Sequence, residues 1–379
     1  MNNRKKPVAI IDIGFGDAGK GLVTSTIAKD YSPINSIGVR FSGGVQAAHR
    51  VCIEDKEFEH IFSSISSTAA YGIDSYWAKY CPVNPKNLLN EYHRLNLPDV
   101  KCYIDGKAPV TTELDISMNI YDSTSHIHGT CGFGVGKTIE REENHISLLF
   151  EDLFIESVTK IKLKSIYDYY KRKFPIHITE QSFIDMELGL IKSLTSIDNI
   201  ILAYKIPDKY TNIIFEGSQG LLLDQTNGFF PNVARTNTGT ANILDLGYKP
   251  DVYLVTRAYQ NRHGNGPMTN IDIDFDVTLH DGEANVSNKY QGDFRTTVLD
   301  LDLMKYAIMK DEYLRSEYTK KSLVITCIDH LDIYKVTLNG ELYNFETDLR
   351  SFVQFISKNL GINDIYINRT EQSGNLTKL

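Results

Sequence analysis

The sequence predicts an α/β fold, a mostly parallel central sheet covered by helices, and three observations carry that prediction. An apolar run at residues 8–13 leads straight into a Gly-rich turn and then into a segment with Leu22, Val23 and Ile27 on one helical face, which reads as a strand–loop–helix unit. Short β-branched runs recur at 199–204 (NIILAY), 212–217 (NIIFEG), 251–259 (DVYLVTRAY) and 322–329 (SLVITCID), the length and composition of buried strands. Longer helical segments separate them, and a parallel return between strands needs the crossover that a helix supplies.

Taken in chain order, the first strand is followed by a second that ends at SIGVRFSGG. Residues of about 150–205 differ in texture: LFEDLFIESVTKIKLKSIYDYYKRKF is rich in Lys and Glu and reads as one or two amphipathic helices, a helical insertion within a single domain spanning residues 1–379. The polar tail after Ile367 predicts weak order beyond Ser373.

Composition narrows the function. The chain has 379 residues, 42% hydrophobic and 23% charged, enough to bury a sizeable core, and no window approaches the roughly 18 uninterrupted apolar residues of a membrane helix. The early apolar run, only six residues long, reads as a buried strand and not as the core of a signal peptide. Net charge is −8 and the basic residues form no long cluster, which argues against a surface that tracks a nucleic-acid backbone. Five cysteines, an odd number without CxxC spacing, indicate neither a disulfide framework nor a zinc site and fit a reducing cytoplasm.

Residues 14–21 read GFGDAGKG, the G-x-x-x-x-G-K of a phosphate loop. Backbone N–H groups around Gly16, Gly19 and Gly21 would turn toward phosphate oxygens, the helix start adds its positive end, and Lys20 adds a point charge. Gly21 stands where Ser or Thr normally supplies a hydroxyl to Mg²⁺, so another oxygen must hold the metal, and Asp17 is the candidate. A carboxylate inside an anion-binding loop is costly unless a metal or a proton-transfer task compensates. A second string, GFGVGKT at 132–138, has Cys131 where a first glycine belongs and a polar stretch where a strand belongs; it reads as a flexible substrate loop.

The phosphate loop followed by VRFSGGVQAAHRV at 39–51 resembles the adenylosuccinate synthetase family, whose members carry a GDEGKG loop and then VRFxGGxNAGH. Further matches follow in order at 128–136 (HGTCGFGVG), 215–224 (FEGSQGLLLD), 231–238 (PNVARTNT) and 256–267 (TRAYQNRHGNGP), so the resemblance covers about residues 8–370. It implies transfer of the γ-phosphoryl of GTP to O6 of a purine monophosphate, then displacement of phosphate by the nitrogen of aspartate. By position, Asp17 takes the purine N1 proton and, with the backbone carbonyl of Ala48, holds Mg²⁺. His49 donates a proton or hydrogen bond as charge moves onto the phosphoryl group. Gln46, in the place of a family Asn, Thr130 and Gln219 contact nucleotide, and Arg235 takes the 5′-phosphate. Asp329 accepts two hydrogen bonds from guanine, while Cys327 replaces a stacking lysine, a change that would admit ATP or dATP.

Departures concentrate in the amino-acid loop. The family uses several arginines to clamp the carboxylates of aspartate; QGDFRTTVLDLD at 291–302 has one, Arg295, beside Thr296 and Thr297. Arg141 lies near, but out of register with, an arginine that the family borrows across its homodimer interface. The compact length is similar to phage and archaeal branches, some of whose members act on dGMP. Asp17 favours IMP or dIMP; GMP or dGMP, or a catalytically weak nucleotide sensor, are the competing readings.

Overall fold

In the computed structural model, residues 6–122, 131–280 and 292–379 are described. A ten-stranded sheet forms the spine. Its centre is β1 (Val8–Asp12), paired in parallel with β8 (Asn212–Gly220) on one side and β9 (Asp251–Arg257) on the other. Beyond β8 come β2 (Ser36–Arg40), β5 (Asp74–Trp77), β6 (Cys102–Asp105) and β7 (Ile200–Ala203), all parallel. Beyond β9 come β13 (Lys321–Thr326) and β16 (Asp364–Ile367), also parallel, and the short antiparallel β17 (Thr377–Lys378). Every residue of β1 and β2 is buried, because helices cover both faces of a parallel sheet.

Three small additions carry the remaining strands. β3 (His49–Ile53) and β4 (Phe58–Phe62) form a hairpin, β10 (Gln260–His263) pairs antiparallel with β11 (Phe294–Thr297), and β12 (Leu299–Asp300) joins β14 (Lys335–Leu338) and β15 (Glu341–Asn344). Among the described residues the helices are α1 (Lys20–Ala28), α2 (Pro85–Leu95), α3 (Glu113–Tyr121), α4 (Val135–Glu143), α5 (Glu156–Lys171), α6 (Glu180–Thr195), α7 (Ala241–Asp245), α8 (Leu301–Lys310) and α9 (Leu349–Leu360).

The stretch at 150–205 holds the two expected helices, α5 and α6, and closes with β7, the strand read at 199–204, at the edge of the main sheet. Two sequence expectations change. The tail beyond Ser373 is not loose: β17 pairs with β16, and the Ser373 and Ser25 hydroxyls lie 2.7 Å apart. The second Gly-rich string is largely helix, since Gly134, at φ +77°, caps α4 and Lys137 is bound to Asp122 at 2.6 Å and Glu140 at 3.0 Å.

Candidate active site

The sequence-predicted residues gather at the carboxyl ends of the parallel strands, where an open α/β sheet leaves its crevice. β1 ends in Asp12, which is fully buried; one carboxylate oxygen accepts from Gly14 N at 2.8 Å, the other from Ala18 N at 3.1 Å and Lys20 Nζ at 3.1 Å. Asp12 thus ties the two ends of the loop together and holds Lys20 in a buried ion pair, a partner that sequence reasoning missed. Gly16 and Gly19 adopt φ +97° and +84°, which glycine alone tolerates well. A Cβ on Gly220, at the end of β8, would lie 2.1 Å from Gly14 O, so the loop rests directly on that strand.

Asp17 itself is left-handed at φ +58°. Its carbonyl accepts from Arg257 Nε at 2.8 Å, and Asn261 Nδ2 donates to Gly16 O at 2.9 Å. The Asp17 carboxylate is 38% exposed and lies 3.7 Å from His263 Nε2. With Lys20 committed to Asp12, that carboxylate keeps the hard-oxygen character and negative charge that suit Mg²⁺, an ion that takes one or two carboxylates plus phosphate oxygens. Ala48 lines the same cavity.

His49 opens β3. Its Nδ1 is 2.6 Å from Glu216 Oε1 on β8, and both residues are buried. Glu216 also accepts from Ser66 Oγ at 2.9 Å, Ser67 N at 2.9 Å and the Ser67 hydroxyl, with Arg40 Nη1 3.8 Å away. A carboxylate with so many donors is ionised, so Nδ1 carries the imidazole proton. Among the described residues Nε2 is buried without a hydrogen-bond partner. Burial and then the nearby Arg40 lower the His49 pKa, against the opposing pull of Glu216. Burial alone would raise the Glu216 carboxyl, but His49, Arg40 and Ser67 outweigh it and hold it at about 2. Glu216 is the second functional group that the sequence left unassigned, although FEGSQG contains it.

Two spaces meet at Asp17. One, of about 150 Å³, is lined by Asp17, Lys20, Ala48, His49, Arg257 and Asp329. The other, of about 170 Å³, is lined by Gly16, Asp17, Gln46, Gln219, Arg262 and His263. Gln46 and Gln219 also face a larger cavity of about 680 Å³ that includes Arg235, and both amide oxygens are buried without a partner among the described residues.

Other predicted residues are placed differently. Arg235 borders the large cavity and is held by Glu143 at 2.7 Å and Glu140 at 3.7 Å. Thr130 lies outside the described residues. Arg295 on β11 donates to Gly264 O at 2.6 Å and Gly266 O at 3.0 Å, and its register partner on β10 is Arg262; Thr296 pairs with Asn261. Arg295 is the single arginine of its own segment, and antiparallel pairing sets Arg262, from another segment, opposite it. Arg262 is buried over the Phe15 ring at 4.2 Å, donates to Pro267 O and Asn232 O, and is lowered to about 10 by burial and by Arg295. Burial lowers the Arg295 pKa, against the opposing charge of Asp293. Arg141 is fully buried on Asp115 at 2.9 Å and ties α4 to α3. Asp329 receives His280 Nε2 at 2.8 Å.

Comparison with known proteins follows the same outline. The adenylosuccinate synthetase family matches residues 9–362. The adenylosuccinate synthetase of Thermoplasma volcanium is 26% identical over 390 residues, covering 95% of this chain and 82% of its own; that of Picrophilus torridus is 29% identical over 336 residues, covering 83% and 76%. Among solved structures, the fully ligated adenylosuccinate synthetase of Plasmodium falciparum superposes with a TM-score of 0.79 at 16% identity, covering 98% of this chain and 99% of that one. Cyanophage S-2L succinoaminodeoxyadenylate synthetase, bound to dGMP and to dATP as an energy donor, gives 0.64 at 14% identity, covering 99% and 95%. At such identities the structural likeness establishes the fold. The family match across nearly the whole sequence establishes more: this chain belongs to the adenylosuccinate synthetase family of ligases, which form a carbon–nitrogen bond.

Proposed function

We propose that this protein ligates aspartate to C6 of a hypoxanthine monophosphate, IMP or dIMP, through a 6-phosphoryl intermediate, with a purine nucleoside triphosphate, GTP in the family pattern, as donor. The observation that carries the reading is that Asp17 lines both adjoining spaces. A base at that junction can serve an acceptor purine on one side and a phosphoryl donor on the other.

The C6 oxygen is a poor leaving group, which is why it must first be phosphorylated. Asp17 takes the N1 proton, and the electron pair released into the ring lets O6 attack the γ-phosphorus; the O6–P bond forms and the bond to the diphosphate breaks. His49, its Nδ1–H fixed by Glu216, offers Nε2 to the same space. Burial and Arg40 favour its neutral form, and a triphosphate beside it opposes them, drawing a proton onto Nε2 from which His49 donates to the transferring phosphoryl. The aspartate nitrogen then attacks C6, the C–N bond forms, the C6–O bond breaks with loss of phosphate, and the nitrogen sheds a proton. Mg²⁺ on Asp17 and the Ala48 carbonyl would neutralise charge on the β- and γ-oxygens. Arg295, with Thr296 at hand and Arg262 adding positive potential behind it, is the group for the aspartate carboxylates. Arg235 would have to leave its glutamates to reach the 5′-phosphate. A sensor needs phosphate contacts but no base paired with an oriented imidazole.

The test is product mass after incubation with GTP or ATP, Mg²⁺ and aspartate, with IMP, dIMP, GMP and dGMP offered in turn. A succinyl adduct on hypoxanthine nucleotides is expected. Adduct only on the guanine nucleotides would move the acceptor assignment, and no adduct in any pairing would remove the reading.

A further inference from the structure

One wall of the 150 Å³ cavity is the turn after β13, which carries Cys327, Asp329 and His330, together with His280 from the segment before β11. That segment is anchored: Thr278 N donates to His330 O at 2.9 Å, and Phe275 and Val277 pack on the main core. His280 Nε2 lies 2.8 Å from Asp329 Oδ2, and the His280 ring stands edge-on to His330 at 4.8 Å. His330 in turn has its Nδ1 2.9 Å from the Tyr259 hydroxyl. An ionised carboxylate only accepts, so the His280 Nε2–H is the donor.

We propose that His280 sets which donor base this enzyme accepts: by occupying one oxygen of Asp329 it removes the preference for guanine and admits adenine. The inference rests on the reading of this cavity as the triphosphate site. Guanine presents two adjacent donors, N1–H and an N2 amino hydrogen, and a carboxylate with both oxygens open matches them. Adenine presents one donor, its N6 amino group, beside N1, which is an acceptor. An open Asp329 would set a carboxylate oxygen against that N1 lone pair, and this repulsion is what rejects adenine. With Oδ2 already accepting from the His280 N–H, its remaining lone pair is a weaker acceptor and repels an N1 lone pair less, which leaves Oδ1 as the strong acceptor for one amino hydrogen. Guanine then has one donor poorly paired, an expensive outcome, whereas adenine needs only one acceptor.

The decisive measurement is equilibrium binding of GTP and of ATP, each with Mg²⁺, to the wild type, His280→Ala and Asp329→Asn. Wild type is expected to bind ATP at least as well as GTP. His280→Ala frees Oδ2 and should shift the affinity ratio toward GTP by roughly 10-fold or more. Asp329→Asn offers one acceptor and one donor whatever His280 does, so it should keep ATP and weaken GTP. A wild type that prefers GTP by 10-fold, or a His280→Ala ratio within about 2-fold of wild type, overturns the inference while leaving the cavity a triphosphate site. Failure of both nucleotides to bind wild type overturns the inference together with the reading beneath it. Thermal melting of each variant checks the fold; His280, with its side chain 52% exposed, is not needed for packing.

Discussion

Asp17 occupies a left-handed conformation, φ +58°, that non-glycine residues other than Asn and Asp seldom adopt. The contacts that hold it there, Arg257 on its own carbonyl and Asn261 on that of Gly16, leave the carboxylate unencumbered except for His263. Asp17→Asn is expected to lower turnover by about 10²-fold with melting temperature unchanged, and His49→Ala by a similar factor; near-normal steady-state rates in either variant would remove that residue from the chemistry. Glu216 acts through His49 and is a positioning residue, so its test needs a readout beyond rate. Because Glu216 raises the His49 pKa, Glu216→Gln should move the His49 limb of the pH–kcat profile to lower pH, besides costing roughly 3–5 kcal/mol for the buried charge left unmatched on Arg40. An unshifted profile would mean that Glu216 only fills space. Asp17 and His49 were legible in the sequence because each sits in a short string with fixed spacing. Glu216 and Arg262 were not, because their partners lie 167 and, through β10–β11 pairing, 33 positions away, and no local pattern encodes a neighbour so distant in sequence; Asp12, only 8 positions from Lys20, was read as part of the apolar strand.

At the scale of elements, the missing hydroxyl after Lys20 has a steric cause. A Cβ on Gly21 would sit 2.6 Å from His49 Cβ and 3.1 Å from Ser67 Oγ; α1 begins against β3, and only glycine lets the two meet. Gly21→Ala should therefore displace His49 and depress turnover more than it depresses the melting temperature, a split that enzyme assay and calorimetry on one preparation would read. The sequence exposed the glycine but not its neighbour. A separate case is Glu187 on α6, buried and accepting from Glu113 N at 2.7 Å. Burial foremost raises its pKa to about 8, so the native state keeps a proton that the unfolded chain releases above about 4.5. Stability from this group is present at low pH and is lost as pH rises through that window, with a slope of up to about 1.4 kcal/mol per pH unit. Urea melts between pH 5 and 8 should show Glu187→Gln gaining on wild type as pH rises; parallel curves would mean that Glu187 is ionised in the fold. The strand–helix alternation, β7 included, was readable because apolar runs and amphipathic periods differ, whereas β17 was missed because a two-residue polar edge strand carries no hydrophobic signal.

Across the whole molecule, the parallel sheet brings loops from β1, β2, β8 and β9 to one end, and there the two spaces share Asp17 as a common wall. A residue that faces two ligands couples them. Filling the triphosphate side with its metal fixes the loop and offsets the Asp17 charge, so the monophosphate side then binds at a lower ordering cost. IMP affinity is accordingly expected to rise in the presence of a saturating non-hydrolysable triphosphate and Mg²⁺, by about 5- to 150-fold if the coupling is typical of adjacent sites. Linkage demands that the analogue gain the same factor from saturating IMP. Calorimetric titrations in both orders measure each side of that equality, and Asp17→Asn should shrink both gains together while leaving each ligand able to bind alone. Affinities that ignore the second ligand would show that the two spaces do not communicate through Asp17, and the residue would lose its place at the centre of the reaction.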